Sequence, residues 1–425
     1  MEIRPGYKLT EVGVIPQEWE IRPCSELSER IMVGIVIRPT QYYVPHGVPA
    51  FRSANIREDG ITDSDLVYIS ESSNALLAKS QTKTGDILTV RTGYPGTSAV
   101  VRPAHAGSNC IDILITRPSK KVTSDFLAIW VNSSFGKEQV LRNQGGLAQK
   151  HFNVGDMRNL VVALPPLSEQ RAIAAALIDV DALLGGLDRL IAKKRDLKQA
   201  AMQQLLTGQI RLPGFHGERE VKRLGDLFRF SGGYSASRDQ LSAEGHCYLH
   251  YGDIHGSSKT TVDTNADFQD IPKLNIPLNR VSRDSLLEHG DVVFVDASED
   301  DEGTSKHVVV VNEDRRPFIS GLHTIVAKAK TEELAHGYRR YCFQTAAIRE
   351  QFLFYAVGTK VSGISKTNIA KLTLPIPSVP EQTAIAAVLS DLDADLSALK
   401  ARRDKTRALK QGMMQELLTG RIRLV

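Results

Sequence analysis

Residues 164–212 read LPPLSEQRAIAAALIDVDALLGGLDRLIAKKRDLKQAAMQQLLTGQIRL, and the same pattern returns at 376–424 as IPSVPEQTAIAAVLSDLDADLSALKARRDKTRALKQGMMQELLTGRIRL. The two copies align without a gap, and about half of the aligned residues are identical. An internal repeat constrains the architecture more strongly than a local motif does, because both copies must adopt the same structure. The chain is therefore predicted to consist of two equivalent halves.

Each copy is predicted to form one long helix with a narrow apolar seam. Apolar residues recur at alternating spacings of four and three, which is typical of a coiled coil rather than of a helix on a broad core. The seam comprises Ile173, Leu177, Val180, Leu184, Leu187 and Ile191 in the first copy and Ile385, Leu389, Leu392, Leu396 and Leu399 in the second. From Glu169 to Leu206 the helix would span about 38 residues, or ~57 Å at 1.5 Å per residue.

The ends of both helices carry recognisable signals. Proline-rich segments precede them, and Ser378 and Glu381 in the second copy have the spacing of a capping box. Thr207-Gly208 and Thr419-Gly420 come after the last apolar residues, and glycine readily ends a helix in the left-handed conformation. Gly185-Gly186 lies mid-helix, where glycine is unfavourable, so it predicts a close approach of two helix backbones.

Charge predicts that the two helices pair antiparallel. The first part of each is acidic and the last part basic, so a parallel pair would set like charges side by side, whereas an antiparallel pair matches opposite charges and helix dipoles. The acidic residues are Asp179, Asp181, Asp188, Asp391, Asp393 and Asp395, and the basic residues are Lys193, Lys194, Arg195, Lys198, Arg402, Arg403, Lys405, Arg407 and Lys410. Two separate core helices are the alternative, which the charge pattern favours less.

Composition narrows the class of protein. The 425 residues include 42% hydrophobic and 24% charged residues, with a net charge of +4, as in an ordinary globular protein. The sequence has no run of about 18 apolar residues and no apolar segment near its N-terminus, so neither a membrane span nor a secretion signal is expected. The four cysteines, Cys24, Cys110, Cys247 and Cys342, lack C-x-x-C spacing, which argues against a zinc site and favours a cytoplasmic location.

The repeat divides the chain into two globular domains, each followed by a long helix. The predicted ranges are 1–163 for the first domain, 164–212 for the first helix, 213–375 for the second domain and 376–425 for the second helix. Short apolar strands mixed with helices near 125–139 and 337–352 predict an α+β fold for both domains. With antiparallel helices the molecule would be pseudo-two-fold symmetric, and the helix pair would separate the two similar domains.

The two domains share scaffold motifs but differ in their loops. Residues 83–90 align with residues 288–295 as a turn followed by a strand. Three aligned loop pairs differ, namely Arg52 and His250, Asn55 and Asp253, and Arg91 and Asp296. In contacts with DNA, arginine favours guanine, asparagine favours adenine, and aspartate accepts from the amino group of cytosine or adenine. Different readers on similar domains would recognise two different half-sites, although drift of surface loops would give the same pattern.

The combined motifs resemble the specificity (S) subunit of type I restriction–modification systems. The resemblance rests on helix starts of the PPxxEQ type at 165–170 and 377–382, on the helix exits LLTGQIRL and LLTGRIRL, and on the segments VPAFRSANI and GDILTVRTG. It covers essentially the whole chain, and the repeat, the helix starts and the helix exits are specific only in combination. The second copy departs from the paired prolines of the family.

The resemblance implies a non-catalytic DNA-recognition subunit. Two target-recognition domains would each read one half of a bipartite, asymmetric site in double-stranded DNA through the major groove, and the helix pair would set the spacer. Such subunits assemble with two adenine methyltransferase subunits and two translocase/nuclease subunits, so that S-adenosylmethionine, ATP and Mg²⁺ would belong to the partners and no cofactor to this chain. Independently, a rod of ~57 Å can hold two readers about one turn of B-DNA apart, ~34 Å, or more.

The sequence carries no recognised catalytic motif. It contains no P-loop and no dinucleotide-binding glycine motif, and it lacks the Asn-Pro-Pro or Asp-Pro-Pro start of the amino-methyltransferase tetrapeptide. His246, His250 and His255 are interpreted as strand and loop residues rather than as metal ligands, and the acidic run at 298–302 as a solvated loop. An enzyme in its own right and a coiled-coil scaffold that does not bind DNA are the alternative functions.

The residues predicted to contact DNA lie in loops of both domains. They are Arg52, Asn55, Arg91, Thr92, Tyr94, Gln149 and Lys150 in the first domain and His250, Asp253, Asp296, Ser298, Lys360 and Lys366 in the second. Because lysine and arginine contact phosphates more often than bases, about half of these contacts would be non-specific. The basic residues of the long helices are assigned to helix pairing and to contacts with the methyltransferase subunits rather than to spacer phosphates.

Overall fold

The computed structural model describes residues 4–142, 151–257, 259–298, 305–357 and 362–424. The chain divides into two compact units, of which the first contains residues 1–189 and 401–425 and the second residues 190–400. Each unit holds one domain of mixed helices and strands together with parts of both long helices. The prediction of an α+β fold is therefore confirmed.

The first domain contains strands β1–β14 and helices α1–α5. The strands are Tyr7–Thr10, Gly13–Pro16, Glu20–Pro23, Ser28–Val33, Tyr43–Val44, Val48–Phe51, Ile56–Arg57, Gly60–Ile61, Val67–Ile69, Ile87–Val90, Ser98–Val100, Asn109–Cys110, Ile113–Pro118 and Val161–Leu164. The helices are Cys24–Leu27, Glu71–Leu76, Ser124–Asn132, Ser134–Arg142 and Val154–Asn159, and the long helix α6 is Leu167–Thr207.

The second domain contains strands β15–β27 and helices α7–α11. The strands are Glu220–Arg223, Phe228–Gly232, Leu241–Ser242, His246–Leu249, Thr261–Asp263, Lys273–Leu274, Val292–Val295, Ala297–Ser298, His307–Val311, Phe318–Ser320, Thr324–Ala329, Ser362–Gly363 and Thr373–Ile376. The helices are Leu224–Leu227, Tyr251–His255, His336–Cys342, Ala346–Tyr355 and Lys366–Ile369, and the long helix α12 is Val379–Leu418.

The two domains are built on the same pair of sheets. The first has a main sheet in the order β11-β10-β13-β4 and a smaller sheet in the order β12-β6-β9-β5. The second repeats them as β23-β21-β25-β16, extended by β19, and as β24-β18-β20-β17. The strands that follow the Gly-Asp turns, β10 and β21, are buried at every residue. Their alternate residues enter different apolar clusters, as expected for central strands that are covered on both faces.

Both domain helices predicted as continuous are interrupted. Residues 125–139 fall in two helices, α3 and α4, with the extended Ser133 between them at ψ 167°. A Cβ on Gly136 would lie 2.4 Å from the carbonyl oxygen of Val131, so the turn into α4 requires glycine there. Residues 337–352 likewise fall in α9 and α10, where the Thr345 hydroxyl caps the new helix by accepting from the backbone N–H of Ile348 at 3.3 Å.

The two long helices and their seams are confirmed. Helix α6 has 41 residues and α12 has 40, so each is about 60 Å long at 1.5 Å per residue. Seam residues buried in the first unit are Ile173, Leu177 and Leu187, and those buried in the second are Ile191, Ile385, Leu389 and Leu396. Gly208 and Gly420 have φ of 78° and 65°, so each helix ends at a left-handed glycine as predicted.

Within each unit the long helices run antiparallel, as the charge pattern predicted. The ion pairs are Asp181–Lys410 at 2.6 Å and Asp188–Arg403 at 3.6 Å in the first unit, and Lys194–Asp395 at 2.7 Å and Lys198–Asp393 at 2.5 Å in the second. All of them are partly exposed, and such pairs contribute at most about 1 kcal/mol each. They therefore select direction and register more than they supply stability.

In the first unit, a buried carboxylate joins the start of α6 to the segment that follows α12. Glu169, in the first turn of α6, is 1% exposed, and its carboxylate accepts from Nε and Nη2 of Arg423, just beyond the end of α12, at 2.5 and 2.8 Å. The Trp19 indole N–H donates to the same carboxylate at 3.1 Å. Hydrogen bonding to Glu169 raises the pKa of the Arg423 guanidinium. The start of one long helix is thus bound to the end of the other.

The second unit repeats this arrangement with two arginines. Glu381 is fully buried and accepts from Nε of Arg211 and from Nη2 of Arg219, each at 3.0 Å. The predicted capping box between Ser378 and Glu381 is therefore wrong, because the carboxylate is turned to the arginines instead. Helix α12 begins at Val379, the position that corresponds to the start of α6, so the missing proline does not shift the helix start.

The neighbouring glutamines bind the long helices to the domains. The side chain of Gln170 donates to the carbonyl oxygens of Pro165 and Lys121 at 2.9 and 3.2 Å and accepts from the backbone N–H of Thr123 at 2.9 Å. The counterparts around Gln382 are Pro377, Glu333 and Ala335, each at 2.8 Å. The two residues of each Glu-Gln dipeptide therefore act in different contacts, the glutamate with the other helix and the glutamine with the domain.

The predicted close approach at Gly185-Gly186 is wrong. A Cβ on Gly186 would meet no described atom within 4 Å, and one on Gly185 would lie at 3.4 Å from Nη1 of Arg189 on the same helix. Both glycines therefore lower the stability of α6 without allowing closer packing.

The substitution Gly186→Ala is expected to raise the free energy of unfolding of the first unit by about 1 kcal/mol, because alanine loses less backbone entropy in a helix and has open space here. Urea unfolding followed by circular dichroism measures the change. Gly136→Ala is the matched control, since its Cβ would overlap backbone oxygens and should destabilise. A Gly186→Ala protein no more stable than the parent would contradict this reading of the helix.

The substitution Arg423→Met is expected to lower the free energy of unfolding of the first unit by about 2–4 kcal/mol, because it leaves the buried Glu169 carboxylate without its charged partner. Arg421→Met, which removes a half-exposed partner of Glu416 in the same segment, should cost under about 1 kcal/mol. Equal effects of the two substitutions on the urea midpoint would show that the buried contact has no special weight.

Candidate nucleic-acid interface

In the first domain, Arg91 lies one position beyond the last paired residue of β10, at the end of the main sheet where β10 ends and β13 begins. This strand-end region, and its counterpart where β21 ends and β25 begins, is called the sheet edge of each domain. Its Nη1 donates to the carboxylate of Asp112, its Nη2 to Oδ1 of Asn153 at 2.9 Å, and its Nε to the carbonyl oxygen of Phe152 at 3.3 Å. The side chain is 15% exposed. The guanidinium therefore joins three chain segments, and it would have to exchange these contacts in order to reach a base.

The loop after Arg91 presents the most exposed aromatic side chain of this edge. Thr92 is partly buried, whereas Tyr94 is 84% exposed. Gly93 and Gly96 have φ of 84° and 88°, a conformation that residues with a Cβ rarely adopt, and a Cβ on Gly96 would meet Val140 at 3.0 Å. The loop is thus held in a tight turn with the tyrosine outside, where it can contact a ligand.

Arg52 and Asn55 occupy a capping arrangement instead of an open surface. Asn55 is fully buried, accepts from the backbone N–H of Arg52 at 2.8 Å, and donates to the carbonyl oxygens of Ser64 and Thr62 at 2.7 and 3.2 Å. Nη2 of Arg52 donates to the carbonyl oxygen of Asp65 at 2.5 Å. Both hydrogen-bonding atoms of the Asn55 amide are thus directed inward and hold this loop, and the predicted contact of Asn55 with DNA stays a prediction.

The second domain has the same edge with different side chains. Asp296 follows β21 as Arg91 follows β10, and Oδ1 of Asp296 lies 3.3 Å from Nδ1 of His323. The His323 ring packs edge-on against Tyr251, with centroids 5.4 Å apart. The carbonyl oxygen of Asp296 accepts from the backbone N–H of Ile364 at 2.8 Å, as that of Arg91 accepts from Phe152 at 3.1 Å. The backbone of the edge is therefore conserved between the two domains of this chain.

His250 and Asp253 repeat the capping arrangement of the first domain. Nδ1 of His250 accepts from the backbone N–H of Gly252 at 3.1 Å, and Oδ2 of Asp253 accepts from the backbone N–H of His250 at 3.3 Å. The His250 side chain is 5% exposed. Burial lowers the pKa of its imidazole, and nearby Arg238 adds to this effect. His250 thus caps α8, whereas Asp253 is exposed at the surface. The predicted contacts of both residues with DNA stay predictions.

Five other residues were predicted to contact DNA, and the structure describes two of them, Ser298 and Lys366. Lys366 is exposed at the first position of α11, beside the Ser365 cap. Ser298 ends strand β22, which pairs with β26. Gln149, Lys150 and Lys360 lie outside the described residues, as do residues 299–302 of the acidic run.

Two edge residues were missed by the sequence analysis, Asp112 and His323. Each immediately precedes a buried strand, β13 or β25, and each has a left-handed backbone, with φ of 50° and 56°. The only signal in the sequence is a polar residue before an apolar run, which many loops share. Their pairing with Arg91 and Asp296 depends on strand register, which the local sequence does not show.

The described residues offer no metal centre. They contain no group of three or more histidine, cysteine, aspartate or glutamate side chains placed to hold a metal ion. All four cysteines are buried, and burial raises the pKa of Cys24 to about 12. Among the helices that the structure describes, none combines the length and apolar character needed to cross a membrane.

The family model and the similar proteins all belong to one family. The family model described as the type I restriction modification DNA specificity domain matches residues 16–192 and again residues 217–406. A Methanocaldococcus jannaschii protein, provisionally named the type I restriction enzyme MjaX specificity subunit, is 24% identical over 440 residues, which cover 99% of this chain and 97% of the relative. The type I restriction enzyme EcoKI specificity subunit of Escherichia coli strain K12 is 22% identical over 434 residues, covering 96% and 89%.

Two solved structures share the fold. One, from a study of complex assembly and conformational transition of the type I R-M system, has a TM-score of 0.57 at 18% identity and covers 96% of this chain and 99% of its own. The other, the type I restriction–modification system S subunit from M. genitalium, has a TM-score of 0.56 at 14% identity and covers 98% of each chain. Since the family model matches both halves of the repeat, the chain belongs to the type I restriction–modification DNA specificity family and is a specificity subunit of such a system.

Proposed function

We propose that this chain is the non-catalytic reader of a type I restriction–modification complex and that each domain reads one half of a bipartite, asymmetric DNA site through the major groove. The observation that carries the proposal is the pair of sheet edges, which share a backbone arrangement but differ at Arg91 and Asp296. Reading two unlike half-sites requires a shared backbone together with different side chains. The backbone places each edge in the same way, and the side chains distinguish the bases.

In this proposal the catalytic steps belong to partner subunits. Two adenine methyltransferase subunits and two translocase/nuclease subunits carry S-adenosylmethionine, ATP and Mg²⁺. Leu197 and Leu409 occupy corresponding positions in the repeat and are 51% and 59% exposed. An apolar side chain presented outward at the same place in each half supports the docking of two equivalent protein partners on the long helices.

The long helices act as the spacer ruler in this proposal. Their antiparallel pairing in each unit has one register, in which Asp188 lies beside Arg403 and Lys198 beside Asp393. An insertion that respects this register lengthens both helices without breaking the seam, provided that it contains whole heptads. The length of DNA left unread between the half-sites is then a separate property from the half-site bases.

Seven residues of coiled-coil sequence inserted after Arg189 and after Ala401 are expected to lengthen the spacer by about three base pairs, because seven helical residues add ~10.5 Å and B-DNA rises ~3.4 Å per base pair. Methylome sequencing of a host that expresses the variant with its partner subunits reads both the half-sites and the spacer. The half-site bases should be unchanged.

The control carries the same insertion in α6 alone, which leaves the two helices unmatched and should abolish methylation. A paired insertion that keeps the original spacer, or one that selects new half-site bases, would refute the ruler. Absence of sequence-specific methylation by the parent complex would refute the proposed function itself.

A further inference from the structure

Each sheet edge carries one opposed pair of side chains at the same place. In the first domain the pairing of β10 with β13 ends at Val90 and Ile113, and Arg91 and Asp112 follow. In the second domain the pairing of β21 with β25 ends at Val295 and Thr324, so that Asp296 and His323 are the corresponding residues. The acidic member is thus Asp112, which precedes β13, in the first domain, and Asp296, which follows β21, in the second.

In each pair, the residue that precedes the second strand is the more exposed one. The side chains of Asp112 and His323 are 39% and 50% exposed, against 15% for Arg91 and 31% for Asp296. The less exposed member therefore supports the outer one from behind. A ligand that approaches this edge would meet Asp112 in one domain and His323 in the other.

The backbone conformation of the outer residues is unusual. Asp112 and His323 have φ of 50° and 56°, and non-glycine residues adopt the left-handed region rarely and at a cost in free energy. The same conformation occurs at corresponding positions in two domains with different side chains. The backbone at these positions is thus a shared feature of the scaffold, while the side chain it presents varies.

The chemistry of both outer residues is that of a hydrogen-bond acceptor. An aspartate carboxylate only accepts. In His323, Nδ1 lies 3.3 Å from Oδ1 of Asp296 without forming a hydrogen bond. The nearby negative charge favours a proton on Nδ1 over one on Nε2, so that Nε2 is the acceptor of the neutral ring. In the major groove, the amino groups of adenine and cytosine are the base-edge donors that an acceptor can read.

We propose that Asp112 and His323 are specificity-determining residues, each accepting a hydrogen bond from an adenine or cytosine amino group in its half-site, and that Arg91 and Asp296 are their positioning residues. The inference rests on the proposed function, because it names the readers of a DNA site. Arg91 also offsets the repulsion between the Asp112 carboxylate and DNA phosphates. A carboxylate at a DNA-facing edge therefore contributes selectivity rather than general affinity.

Glycine substitutions test the outer residues without disturbing the backbone, since glycine adopts positive φ freely. The chain is assembled with its methyltransferase subunits, and methylation is measured on the cognate duplex and on duplexes with each half-site base pair changed. Asp112→Gly is expected to reduce discrimination about 10- to 100-fold at one position of one half-site, and His323→Gly at one position of the other. The remaining positions should keep the parent's discrimination.

Two other left-handed residues provide matched controls. Asp65→Gly in the first domain and Arg315→Gly in the second change residues with φ of 51° and 54°. Neither residue forms a described hydrogen bond or ion pair with a member of the two pairs. Both should leave discrimination at every position unchanged. If the parent discriminates and the two glycine variants at 112 and 323 discriminate equally well, the inference is overturned while the proposed function stands. A uniform loss of methylation on all duplexes, without loss of discrimination, would also overturn it, because this outcome indicates a contact to the DNA backbone.

The amino group is tested by removing it from the DNA. The base identified for each variant is replaced by purine in place of adenine, or by pyrimidin-2-one in place of cytosine, so that only the amino group is lost. The parent complex should methylate this duplex about tenfold or more slowly, whereas the glycine variant should be indifferent to the change. Equal sensitivity of the parent and the variant would overturn the assignment of an amino-group contact.

The positioning residues are tested at the same base pair. Arg91→Met is expected to reduce discrimination at the position identified with Asp112→Gly, and Arg91→Lys to restore part of it, because lysine keeps the charge but not the fork of donors. A loss spread over all positions of the half-site would assign Arg91 a merely structural role and overturn this part of the inference.

Discussion

The buried carboxylates of Glu169 and Glu381 are the contacts on which the rest of the structure depends. Each is nearly or fully inaccessible to solvent, and each is bound by an arginine that follows the other long helix, Arg423 or Arg211. A buried carboxylate is tolerable only with a charged, hydrogen-bonded partner. That partner is available only if the start of one helix lies beside the end of the other, so the contact requires the antiparallel arrangement seen in each unit.

The seam, the surface charges and the buried contacts contribute differently. A fully buried leucine or isoleucine contributes about 1.5–3 kcal/mol. Leu177 and Leu389 lie in apolar clusters that contain both the end of the other long helix and the domain core, so their burial stabilises each unit more than an exposed ion pair does. The partly exposed ion pairs are weak, but they oppose the parallel alternative. The buried glutamates then fix the register at the helix ends. The adjacent glutamines bind the backbone of each domain, so each domain is held at a defined position along the helices.

The two sheet edges combine a shared backbone with different side chains. Asn55 and His250 belong to the shared part, since both are buried in the same capping arrangement, which holds a loop in each domain. Arg91 and Asp296 are intermediate, because their backbone oxygens accept equivalent hydrogen bonds while their side chains have opposite charge. Asp112 and His323 lie outermost. Exposure thus separates the buried residues that maintain the fold from the more exposed side chains that differ between the two domains.

The sequence by itself determined the repeat, the α+β character of the domains, the two long helices, their left-handed glycine ends and their antiparallel pairing. These features are recorded in the periodicity and charge of neighbouring residues, so one stretch of chain is enough to read them. Only the tertiary structure decided the partner of Glu169, which is 254 residues away in the chain, the open space around Gly186, the inward amide of Asn55 and the pairing of Arg91 with Asp112. Each of these depends on segments brought together by folding, and no local spacing encodes which distant atom will be within reach.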